Sequence, residues 1–204
     1  MRKALLEEAA GKAQLRAAFK ASQKAVPAQA SSYDVLAYEL HLDLNPVAQL
    51  LDGHVVCRAV VTEGPLSLFV LQLASNLGVS AVTVNGGLTT FSHAGDSLSV
   101  DLGAARAVGD TVEVGVYYAG NPAGGAFGWN SYGGQPLIWT LSEPYGAPTW
   151  WPCKDTPADK ADTVDLHVTV PDGLVVASNG TLVSENLAAG KRTFHWHESY
   201  PIAT

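Results

Sequence analysis

Sulfur, positive charge and long apolar runs are all scarce in this sequence. Its 204 residues include two cysteines and one methionine. Two thiols, Cys57 and Cys153, allow one disulfide at most and exclude a small disulfide-stapled fold. Cys57 lies in an apolar alternating run and Cys153 in a proline-rich block, so both read as small buried hydrophobes. Twelve Lys and Arg stand against nineteen Asp and Glu, a formal net charge of −7. That balance argues against nucleic acid or an anionic membrane as a partner, since either calls for a basic patch. No stretch approaches the ~18 apolar residues of a membrane helix. Met1-Arg2-Lys3 could open an export signal, but Glu7 and Glu8 interrupt the apolar stretch that would have to follow. As written the chain reads as soluble, without signal peptide or membrane insertion; removal of an upstream leader is equally compatible, so the compartment is left open.

Catalytic signatures are missing too. The sequence contains no His-Glu-x-x-His zinc helix, no Gly-x-Ser-x-Gly elbow, no phosphate loop and no dinucleotide fingerprint. Six histidines, at 41, 54, 93, 167, 195 and 197, are scattered along it. His195 and His197 share one face of a predicted strand, but a stable metal site wants three or four ligands. The histidines therefore read as polar-face residues, with no metal ligands and no cofactor expected in this chain. Asn179-Gly180-Thr181 fits a glycosylation sequon, but as a common turn sequence it carries little weight.

What is present is apolar material in a clear pattern. With 47 % hydrophobic residues the chain can bury a core, as one domain plus a small appendage. Residues 2–24 are rich in Ala, Leu, Lys, Glu and Gln and read as a helix; residues 1–31 are thus an N-terminal helix and linker. From residue 32 to 204 the period is two. Tyr38, Leu40, Leu42 and Leu44 alternate with polar residues, as do Val55, Cys57, Ala59 and Val61. Later runs at 66–73, 79–84, 89–91, 98–102, 112–118, 164–170, 174–177 and 193–198 repeat the pattern. Asn85-Gly86 is favoured hairpin chemistry. Short strands with Gly, Pro and Asn turns predict an all-β fold, an antiparallel sandwich or saddle-like domain. The alternation lapses over residues 120–135, a glycine-rich stretch holding Phe127, Trp129 and Tyr132, which reads as an aromatic loop.

One segment resists any regular element. Between Trp139 and Thr163, Pro144, Pro148, Pro152 and Pro157 break the chain every fourth or fifth residue. An ordered loop lined by Trp139, Trp150 and Trp151 remains, a place where function sits on a rigid scaffold. Asp155 and Asp159 with Lys160 read as a local ion-pair and turn-capping cluster.

This segment resembles the signature of the aminopeptidase N family of zinc metallopeptidases, which includes leukotriene hydrolase. Ser142-Glu143-Pro144 is similar to the family's Gln/Glu-containing turn, and Trp151 to Pro157 to its Phe-Pro-Cys-Phe-Asp-Glu-Pro block. Pro152, Cys153, Asp155, Pro157 and Lys160 match; Lys154, Thr156 and Pro148 depart from the commonest form. The resemblance implies the N-terminal β-domain of such an enzyme. In it Glu143 would hold the free α-amino group of a peptide substrate, with Ser142 and Tyr145 beside it. Zinc and the catalytic residues would belong to a catalytic domain absent from this chain, so the chain alone should be inactive. The family usually continues into a further strand after Tyr200 to Thr204, which implies a truncated edge and unpaired backbone near residues 193–204. The competing reading is a non-catalytic binding or scaffold module that presents Phe127, Trp129, Tyr132, Trp150 and Trp151.

Overall fold

The computed structural model describes residues 31–123, 125–143, 145–156 and 158–201; the helix expected over residues 2–24 lies outside them. Thirteen strands follow one another. They are β1 (Tyr33–Asn45), β2 (Leu50–Val61), β3 (Leu66–Gln72), β4 (Gly78–Val84), β5 (Gly87–Leu88), β6 (Phe91–Ala94) and β7 (Ser97–Arg106), then β8 (Thr111–Gly120), β9 (Phe127–Tyr132), β10 (Gln135–Thr140), β11 (Thr163–Pro171), β12 (Thr181–Ala188) and β13 (Lys191–Glu198). A 3-10 turn, Ala147–Thr149, lies between β10 and β11.

Eight strands form one sheet in the order β12-β13-β11-β1-β2-β8-β4-β5; β3-β7-β6 and β10-β9 form two small ones. The long alternating runs bury their apolar sets. Tyr38, Leu40 and Leu42 of β1, Val55 and Cys57 of β2, and Val114 and Val116 of β8 line the inner face of the large sheet. Phe69 and Leu71 of β3 with Leu98 and Val100 of β7 belong to the same core. Tyr33 joins the two layers, its ring stacked on Phe69 at 4.0 Å and its hydroxyl donating to the Val70 carbonyl at 2.6 Å.

Several expectations are corrected. The large sheet is mixed, because β1 and β11 run parallel while its other pairs are antiparallel. Parallel neighbours need a crossover, and the chain between β1 and β11 supplies it, ending in the proline-rich segment. The aromatic loop expected over 120–135 is largely the β9–β10 hairpin, which turns at Gly133 and Gly134 with φ of 59° and 79°. Both values need glycine's freedom, and the turn restores pairing where the sequence looked irregular. Residues 174–177 form no strand, and β12, which the alternation did not reveal, does. Finally β13 is paired on both sides, to β11 and β12. The outer strand at that end is β12, not β13.

Candidate functional site

The proline-rich segment is fastened to the core by its backbone. Cys153 exchanges both of its backbone hydrogen bonds with Gln72 of β3, at 2.7 and 3.0 Å. The Ala74 N–H donates to the Pro148 carbonyl at 2.7 Å. Two buried tyrosines of the large sheet reach the segment as well: Tyr118 donates to the Trp150 carbonyl at 2.9 Å, and Tyr38 accepts from the Lys154 N–H at 2.9 Å. Burial pushes both phenols well above their ordinary value, so they stay neutral. Trp151 stands edge-on to the Tyr38 ring at 4.8 Å. Each such hydrogen bond contributes about 1 kcal/mol net, and a buried partner left unmet costs more. A loop without regular structure is thereby held as firmly as a strand.

Lys154 is the charged residue of this attachment, and it corrects the expected cluster. Its ammonium is buried, donates to the Tyr33 carbonyl at 2.5 Å, lies 4.4 Å over the Tyr33 ring and forms an ion pair with Asp159. Asp159 also accepts from the Val35 N–H at 3.2 Å. Lys160 is exposed and Asp155 faces elsewhere, its N–H donating to Gln72 Oε1 at 2.8 Å. Burial pushes the Asp155 carboxyl up to about 6. Cys57 and Cys153 are free and fully buried. Burial pushes the Cys57 thiol up to about 12 and the Cys153 thiol up as well, which removes both as nucleophiles.

Beside this segment lies an open cleft of about 270 Å³. One wall is the stretch from Thr140 to Glu143; Trp150 and Trp151 form the floor; Val164 and Leu166 of β11 with Trp196 and Glu198 of β13 also line the cleft. The wall is shaped by a tight turn: the Gly146 N–H donates to the Ser142 carbonyl at 2.6 Å. A Cβ on Gly146 would lie 2.5 Å from the Ala126 methyl, so the turn closes only around glycine. Ser142 Oγ accepts from Trp150 Nε1 at 3.1 Å, which ties the wall to the floor. Glu143 is exposed and lines the cleft. Tyr145 is half-buried and is not among the lining residues.

Sequence reasoning missed a second carboxylate. Glu198 lines the same cleft as Glu143 and accepts from the Tyr200 N–H at 2.7 Å. The signal was available, since Phe194, Trp196 and Glu198 share a strand face. No Lys or Arg lies among the described lining residues, so two carboxylates give the cleft negative potential without a compensating cation. Trp151 Nε1 and Trp196 Nε1, both on lining residues, are buried donors with no partner among the described residues.

Of the aromatic set that a scaffold reading would use, Phe127, Trp150 and Trp151 are buried in the core. Trp129 packs on Phe127 at 4.9 Å and donates to Asn121 Oδ1 at 2.9 Å. Only Tyr132 stands fully in solvent, and the five do not make one contact surface.

The fold built on this mixed eight-stranded sheet is shared with solved zinc metallopeptidases. Residues 34–204 match the family model of the Peptidase M1 N-terminal domain, and the chain belongs to that family. It is similar to the M1 zinc metallopeptidase of Deinococcus radiodurans, with 31 % identity and a TM-score of 0.73 over 81 % of this chain and 39 % of that one. A mutant of the same protein bound to a Tyr-Ser-Ala substrate matches at 31 % identity and a TM-score of 0.72, over 81 % of this chain and 39 % of that one. Native yeast LTA4 hydrolase shares the fold at 18 % identity and a TM-score of 0.66, over 81 % of this chain and 27 % of that one. The chain therefore spans about two fifths of the Deinococcus protein's length. No curated protein sequence matches it.

The cleft does not fit a catalytic zinc. Its lining offers two carboxylates and no imidazole, and the sequence holds no His-Glu-x-x-His. No helix among the described residues is long and apolar enough to cross a membrane.

Proposed function

We propose that this chain is the substrate-amine-anchoring N-terminal domain of a zinc aminopeptidase, with zinc and catalysis supplied by a catalytic domain of the same protein. The observation that carries the reading is the exposed Glu143 on the wall of an acidic cleft that holds no cation among its described lining residues. The free N-terminus of a peptide is an ammonium. A carboxylate in a partly dry cleft meets it with charge-assisted hydrogen bonds, stronger than neutral ones. Glu198, which lines the same cleft, adds to the same field. Ser142 holds the wall to the floor through Trp150, so its part is positioning. Tyr145 follows the anchor in the turn and has the weakest claim to a role. Once the catalytic domain closes the cleft, the free indole N–H groups of Trp151 and Trp196 are donors for a peptide carbonyl or for that domain's backbone.

The test is Glu143→Ala and Glu143→Gln in the protein with its catalytic domain. Removing a charge-assisted hydrogen bond from a half-dry site costs roughly 1.5–3 kcal/mol, or roughly a tenfold to hundredfold fall in kcat/KM. Glu143→Gln falls less, because the amide oxygen still accepts from the ammonium. Zinc content stays the same in both. Unchanged kcat/KM on free-amine peptides, with a lowered melting temperature, would overturn the anchoring role.

A further inference from the structure

The outer face of the large sheet carries a row of rings on the side away from the cleft. Tyr117, His54, His41, His167 and His195 lie opposite one another on β8, β2, β1, β11 and β13. Successive ring centroids are 4.0, 5.8, 4.5 and 4.0 Å apart, all near-parallel. Two carboxylates touch this row, Asp165 on His195 at 2.7 Å and Glu39 on His41. Glu39 precedes His41 by two residues and so shares its face; its Oε1 lies 2.8 Å from His41 Nε2 and 3.6 Å from His167 Nε2. The three donor atoms all fall within 4.8 Å of one another.

We propose that Glu39, His41 and His167 form a surface site for a divalent first-row transition ion of the zinc or copper class. Tetrahedral zinc with bonds of about 2.0–2.2 Å sets its donors about 3.3 Å apart, and the distances from Glu39 straddle that value. Two imidazoles and a carboxylate suit these ions and do not suit magnesium or calcium. The ion takes the place of the proton between His41 Nε2 and Glu39; the ring changes to its Nδ1–H tautomer, and no net proton leaves. Burial, with the neighbouring imidazoles of His195 and His41, holds His167 below its ordinary value, so it is neutral and able to ligate near pH 7. Water completes the coordination, because the ligands are a quarter to a half exposed. A depression of about 360 Å³ beside the rings is bordered by Asp43 and Asp52; Asp43 is ion-paired with Lys191 at 2.5 Å, so the negative charge at the site itself comes from Glu39. The ion would bridge β1 to β11, the parallel pair on either side of the proline-rich crossover.

The test is calorimetric titration of zinc chloride into the metal-free 204-residue chain at pH 7.5, with melting temperature as a second readout. One equivalent is expected to bind in the micromolar range and to raise the melting temperature. His41→Gln and His167→Gln should each weaken binding at least about tenfold and abolish the rise, and Glu39→Gln should weaken it less. His197→Gln, which removes a ring held on Asp165 at 3.0 Å, should change neither. Copper(II) at the same site should show two nitrogen donors by electron paramagnetic resonance, and one in either histidine variant. No saturable binding would overturn the proposal. So would binding that survives both His41→Gln and His167→Gln, or that disappears only when His195 and His197 are replaced together.

Discussion

Replacing Lys154 by methionine tests what holds the cleft wall in place. The ammonium and the Asp159 carboxylate are only 5 % and 11 % exposed at the side chain, so solvent can do little for either once its partner is gone. Breaking a buried pair by removing one member costs about 3–5 kcal/mol, most of it from the charge left behind. In Lys154→Met that charge is Asp159, which keeps the Val35 N–H as a donor and lies beside Asp34. A side-chain hydrogen bond to Asp159, with burial and then the charge on Asp159, already pushes the Asp34 carboxyl above its ordinary value. The Lys154 charge that opposes this is lost in the variant. The Tyr33 carbonyl loses its donor in the same variant. Domains of this size are stable by roughly 5–15 kcal/mol, so the variant should fold but marginally. Urea unfolding is the assay: with a slope of about 2 kcal/mol/M, the midpoint should fall by about 1.5–2.5 M. Adding Asp159→Asn removes the orphaned charge while its amide oxygen can still accept from Val35. The double variant should therefore be more stable than Lys154→Met alone, with a coupling energy of about 2–3 kcal/mol. A single-variant loss below about 1 kcal/mol, or losses that simply add, would refute the view that a buried ion pair fastens the segment to β1.

Two further outcomes are expected. Asp155 has an ordinary carboxyl value of 3.8 and is pushed up to about 6 by burial, so the folded chain holds this proton more tightly than the unfolded chain does. The stability it contributes is full below pH ~4 and is lost as pH rises through ~6; Asp155→Asn should raise the melting temperature at pH 7.5 and not at pH 4, and an equal rise at both would be the wrong result. The edge strand β12 is exposed along its whole length and shows Leu182, Val183 and Leu187 to solvent, so sedimentation at high concentration should show self-association that Val183→Lys reduces with little change in stability; association unchanged by the substitution would point to another surface.

Much of this protein was legible in its residues. Alternation at i and i+2 is set by local backbone geometry, so the strands around Tyr38, Val55, Val114 and Val168 could be read with their buried faces. Asn85-Gly86 turned the chain where its chemistry demands, and the proline spacing from Pro144 to Pro157 excluded a helix and pointed to the family. The sequence also placed Ser142 and Glu143 in a loop beside tryptophans, and the absence of a zinc helix was a matter of reading alone.

Tertiary structure decided everything that depends on which strand lies beside which. Nothing local says that β11 runs parallel to β1, yet that register sets His167 against His41 and brings both to Glu39. Likewise β13 had to pair with β11 before Glu198 could line the same cleft as Glu143. Charge spacing favoured Lys160 as the partner of the nearby acids, but the chain turns after Cys153 and buries Lys154 against Tyr33 instead. β12 was invisible because both its faces meet solvent and it carries no alternation, and β9 because glycine and aromatics hid its half of a hairpin, although Leu137 to Trp139 of β10 read as a strand. Periodicity records which face of a strand is dry; it holds no record of the neighbour that makes it so, and sites built across strands are therefore set by the fold.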